Sequence, residues 1–144
     1  MRLVICLNQS HRQLCMVSVV VSMDAKLDEL STDDVSRCED TIVSQWREFS
    51  AAKKVQVCNR VDEILREFGM HTKLLVMERH NSIALYFICT TLSAVASLRD
   101  QLHSGQLKYT VQILFTFLSG ATQPVLVQSL SWLHSLHFLS LLPG

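Results

Sequence analysis

The sequence predicts an α+β domain in which a small antiparallel sheet packs against about four helices. Two observations point there. Residues 74–78 and 83–89 are apolar, strand-like runs separated by a four-residue polar break, the pattern of a hairpin. Residues 92–102 and 107–118 carry apolar positions at helical spacing on either side of Ser104 and Gly105. A strand pair feeding a helix pair belongs to a compact α+β module.

The elements follow in chain order. Residues 16–23 are β-branched and about one strand long; their near-continuous apolar character predicts a strand covered on both faces, preceded by an arm at 1–15. Ser31 is placed to cap a helix, with Asp34 completing a shortened capping box. Val35, Cys38, Ile42, Trp46 and Phe49 then fall on one face at spacings of three and four. A second helix starts near Ala51, with Val55, Cys58, Val61, Leu65 and Phe68 as its stripe and Gly69 as its stop. The charges of that helix, among them Arg60, Asp62, Glu63, Arg66 and Glu67, read as a solvated face.

Arg79, His80, Asn81 and Ser82 form the hairpin break, where Asn81 tolerates unusual backbone angles. A third helix spans 92–103 with Leu92, Val95, Leu98 (or Arg99 beside it) and Leu102 inward, and Gly105 ends it. Leu107, Val111, Leu114, Phe115 and Leu118 form the stripe of a fourth helix closed by Gly120. Tyr109, Ile113 and Phe117 make that helix apolar on further sides, so it is either central to the core or part of an interface. Pro124 introduces an extended piece at 125–130. Residues 131–144 are rich in Leu, Ser and His, uncharged and without clear period, and read as a tail. One interaction domain is thus expected over 16–130.

Composition narrows the function. The chain has 144 residues, 49% of them hydrophobic and 18% charged, enough apolar content to bury a core. Thirteen basic and thirteen acidic residues cancel, so the chain lacks the positive footprint of a phosphate-backbone binder. Five scattered cysteines with no Cys-x-x-Cys pair read as small hydrophobes in a reducing compartment, hence a cytoplasmic protein. Secretion is the rival reading, resting on an apolar run at 14–23 and the sequon at Asn8. The polar insert at 8–13 interrupts that signal.

No catalytic, cofactor or metal constellation emerges. The six histidines and five cysteines share no ligand spacing; His134 and His137 are the nearest pair. Cys89, with His80 upstream, reads as a buried structural thiol rather than a nucleophile. The four glycines are isolated, so there is no phosphate-cradling loop. The carboxylate neighbours Asp33 and Asp34, Glu39 and Asp40, and Asp62 and Glu63 point in different directions on a helix. The expected partner is another protein. Candidate contact residues are the polar tip Arg79, His80, Asn81 and Ser82 and the large apolar Trp46 and Phe49.

The order strand, helix, strand pair, helix pair, strand resembles the N-terminal domain of the tumour-necrosis-factor-receptor-associated death-domain adaptor and similar adaptor modules. Residues 82–89 carry the resemblance as an apolar strand ending in Cys89, followed by the 98–107 stretch with its turn at Ser104, Gly105 and Gln106. The resemblance spans roughly 16–130 and is strongest over 74–118. It implies a non-catalytic module that docks onto a signalling protein. The chain departs from that pattern in three ways. Its first strand lacks the aromatics that the adaptor presents to its partner, its 31–68 helical segment is longer, and no death domain follows within these residues. The alternative is a membrane-associated or partial domain whose apolar tail at 131–144 contacts lipid.

Overall fold

The computed structural model describes residues 15–29, 34–51 and 54–141. In chain order the elements are β1 (Cys15–Leu27), α1 (Val35–Ala51), α2 (Lys54–Leu65), β2 (Thr72–Arg79), β3 (Ile83–Cys89), α3 (Leu92–Ser104), α4 (Gln106–Ser119) and β4 (Val127–Leu141). A 3₁₀ turn at Arg66–Phe68 extends α2. The four strands make one antiparallel sheet in the order β2-β3-β1-β4, so the fold is α+β as the sequence predicts.

Alternation along β1 sets the layers. Val19, Val21, Met23 and Ala25 are fully buried, and their register partners Cys89, Phe87, Leu85 and Ile83 on β3 are fully or almost fully buried as well. Val20, Ser22 and Asp24 alternate with them and are only half-buried. The expectation of a strand covered on both faces is therefore corrected: a strand's side chains alternate, and Ser22 and Asp24 mark the uncovered side.

Against the buried face pack the helical stripes. Asp34 caps α1 by accepting the Arg37 N–H at Oδ1, 3.0 Å away, while Ser31 lies outside the described residues. Ile42 and Val43 are buried, with Val35, Cys38, Trp46 and Phe49 packed against the same core. In α2 and its 3₁₀ turn, Val61, Ile64 and Phe68 are buried; Ile64 takes the inward place that spacing assigns to Leu65. The Phe68 ring meets Phe87 of β3 edge-on at 5.1 Å between centroids.

The helix pair is closest to expectation. All five stripe positions of α4, Leu107, Val111, Leu114, Phe115 and Leu118, are buried. Gly105, at φ 87°, passes the chain from α3 straight into α4 through a left-handed conformation, which favours glycine. In α3 the expected stripe holds except at its first position. Ala94 and Leu98 are buried, Val95 and Leu102 pack beside them, and Leu92 is exposed. Thr91 Oγ1 caps the helix by accepting the Ala94 N–H at 3.1 Å, which makes Leu92 its first residue.

Residues 131–141 are not a tail. They form most of the fifteen-residue strand β4, which pairs along the length of β1 from Leu27 with Val127 to Cys15 with Leu141. A register shift opposite Ser22 and Met23 leaves Leu133 unpaired, so the alternation changes phase there. That phase change hides the strand from a period-two reading. Trp132 anchors it: Arg99 of α3 lies over its ring, 5.0 Å from the centroid, and its indole N–H donates to Ser135 Oγ at 2.9 Å. Cys15 already belongs to β1; the rest of the 1–15 arm, like 142–144, lies outside the described residues.

Candidate docking site

The hairpin tip divides into two inward and two outward residues. Arg79 ends β2 and turns its guanidinium towards α1. Its Nε donates to Asp40 Oδ1 at 2.8 Å and its Nη2 to Ser36 Oγ at 3.2 Å. Nη1 lies 3.3 Å from Glu39 Oε1 and donates to the backbone carbonyls of His80 (2.9 Å) and Ser82 (3.2 Å). Ser36, Glu39 and Asp40 stand at i, i+3 and i+4, one face of a helix, so one planar fork reaches all three. The expectation that consecutive Glu39 and Asp40 point in different directions is corrected, because both carboxylates meet this one guanidinium.

Glu39 is 3% exposed and Arg79 22%. Burial raises the Glu39 carboxyl, opposed by the Arg79 guanidinium and reinforced by the nearby Asp40 and Asp24 carboxylates. On the other side of the turn, the buried Ser82 hydroxyl donates to Asp24 of β1. The expectation of a four-residue polar rim is thus corrected for Arg79 and Ser82, which clamp the hairpin to α1 and β1. His80 and Asn81 remain exposed, with His80 Nε2 3.4 Å from Glu78 Oε2.

Trp46 and Phe49 lead to a different surface. Both are half-buried on α1, and the Phe49 ring stacks at a tilt on Phe117 of α4, 6.0 Å between centroids. Together they line an open groove of about 550 Å³. One wall is Cys58, Val61, Asp62 and Leu65 of α2, continued by Arg66, Gly69 and Met70. The other wall is Thr72, Lys73, Leu74 and Leu75, four consecutive positions of β2. Neighbouring strand residues point to opposite faces, so a groove touching all four follows the strand's edge. β2 is the terminal strand of the sheet, and among the described residues no other strand pairs with that side.

Two residues on this rim hold apolar surface in water. Met70 is 86% exposed and Leu75 47%. Leu75 sits at the register shift between Leu74 and Val76 and is the unpaired residue of a bulge. The bulge explains why Leu74 and Met77, three apart, are both buried while Leu75 and Val76 are left out. Sequence spacing names Trp46 and Phe49 but misses Met70, Leu75, Arg66 and Lys73. The available signal was the run Leu74, Leu75, Val76, Met77, too apolar for a strand that closes a sheet.

The charge of the groove is uneven. Asp62 accepts a hydrogen bond from Cys58 Sγ at 3.1 Å, and Glu63 and Glu67 on the same helix are engaged by Arg60 and Gln106. Arg66 and Lys73 are exposed, and among the described residues neither side chain has a hydrogen bond or ion pair.

Other candidates are less organised. A recess of about 560 Å³ lies between α4 and 120–126, lined by Tyr109, Ile113, Phe117 and Leu126 among others. The polar groups beside it are already used: Gln112 Oε1 accepts the Val127 N–H and Thr116 Oγ1 the Val125 N–H. Burial pushes the thiols of Cys38 and Cys89 up, away from thiolate character; Glu39 adds to this at Cys38, and a Thr72 hydrogen bond opposes it at Cys89. Among the described residues no three His, Cys, Asp or Glu side chains converge on a metal position. His134 pairs with Ser22 and His137 with Val19, positions on opposite faces of β1.

No protein-family model, curated protein or solved structure matches the chain.

Proposed function

We propose that the chain is a non-catalytic, adaptor-like docking domain that takes a segment of a signalling protein along the β2 edge. The observation that carries this reading is the groove beside the outer edge of β2, lined by Trp46 and Phe49 and rimmed by exposed Met70 and Leu75. Aromatic anchors at the bottom of a cleft, apolar rim residues and free backbone donors and acceptors are the parts that strand addition uses. The adaptor resemblance belongs to the same proposal; its residues form β3, α3, the Gly105 turn and α4. So does a reducing, cytoplasmic location, with which the unbridged thiols of Cys38 and Cys89 are consistent. The alternative, lipid contact through 131–144, would have to use a segment of which 131–141 are paired with β1 as part of β4. Among the described residues no helix is long and apolar enough to cross a membrane.

Affinity capture with the intact chain tests the location of the site. Met70→Glu and Leu75→Glu, both at exposed positions, should remove proteins that the parent retains while leaving the far-ultraviolet circular dichroism unchanged. His80→Ala with Asn81→Ala should retain them. The reverse pattern would return the site to the hairpin tip.

A further inference from the structure

We infer that the groove selects a short, extended peptide segment in which apolar residues are flanked by a carboxylate. The inference rests on the docking reading above and adds the chemistry of the occupant. Three charged side chains line the groove, and the two cations, Arg66 and Lys73, have no partner among the described residues. The third, Asp62, already accepts the Cys58 thiol hydrogen at 3.1 Å. A segment entering the groove therefore meets two unpaired positive groups above an apolar floor.

Placement sets the form of the ligand. Lys73 lies on the strand wall and Arg66 on the helical wall. A carboxylate flanking an apolar side chain in the groove would find a cation on either wall. The strand wall is four residues long and ends at the Leu75 bulge, which breaks the regular course of β2 between Leu74 and Val76. That limits the occupant to a short strand. A basic segment would be repelled by Arg66 and Lys73, which supplies selectivity against the wrong partner as well as attraction to the right one.

The test is selection of a displayed random heptapeptide library on the intact chain, repeated with Leu75→Glu and with the double variant Arg66→Glu, Lys73→Glu. Peptides enriched on the parent should combine aliphatic or aromatic residues with Asp or Glu and vanish on Leu75→Glu. Binding of an enriched acidic peptide should fall about threefold to tenfold on the double variant, the scale of two exposed charge pairs, and should weaken with salt. The double variant should instead enrich basic peptides. Groove-dependent peptides that are neutral or basic on the parent would overturn the acidic occupant and leave the docking reading standing. No enrichment that depends on Leu75 would overturn both. A parent that sediments as a dimer while Leu75→Glu is monomeric would make the occupant a second copy of this chain and overturn the inference.

Discussion

Arg79→Ala is expected to cost about 3–5 kcal/mol of unfolding free energy, because it leaves the buried Glu39 carboxylate without its cation. The same change frees Asp40 and Ser36 from the hairpin and removes the two hydrogen bonds that Nη1 donates to the turn carbonyls of His80 and Ser82. Urea unfolding measures it. Glu39→Gln in the Arg79→Ala background should recover part of the loss, since a neutral amide costs less to bury than an uncompensated charge. The pH dependence has a defined sign. The Glu39 carboxyl is raised by burial, and losing Arg79 removes the main opposing influence. A carboxyl whose folded pKa lies above its unfolded one binds more protons folded than unfolded between the two values. Stability of the Arg79→Ala protein should therefore rise as pH falls through the raised folded pKa, levelling off below the unfolded one. Equal stability of parent and variant at neutral pH would mean that the clamp contributes nothing.

Phe115→Ala should cost about 3–5 kcal/mol, through lost transfer energy and the cavity left behind. Phe115 is 0% exposed on α4, between Leu114 and Leu118 of the same buried stripe. Tyr109→Ala on the exposed side of the same helix should change stability by less than about 0.5 kcal/mol. Thermal or urea melts of the two variants separate a central helix from a surface one. A Phe115→Ala protein as stable as the parent would place α4 outside the core.

What the sequence revealed follows from which signals are local. The α4 stripe, the Gly105 turn and β3 depend on period and on glycine's backbone freedom, and they stand where spacing puts them. The Leu75 and Leu133 irregularities shift the phase within a strand, and period-two counting has no means to see a bulge before the register is known. So β4 reads as a tail, and the groove wall at 72–75 reads as ordinary strand. Arg79 misleads for another reason. An arginine in a polar break looks solvent-facing until the chain brings Ser36, Glu39 and Asp40 against it from some forty residues away. Trp46 and Phe49 were legible as large apolar residues near a helix end, but their partners across the groove come from α2 and β2 and are set by tertiary packing.

The most direct measurement of the central claim is amide hydrogen exchange on the intact chain, with and without a peptide enriched on it. Docking along the β2 edge predicts slowed exchange at 72–75 and in the neighbouring turn at 68–70, with the hairpin tip at 80–82 and strand β4 unchanged. Protection confined to the tip or to β4, with 72–75 exchanging as in the free protein, would contradict it.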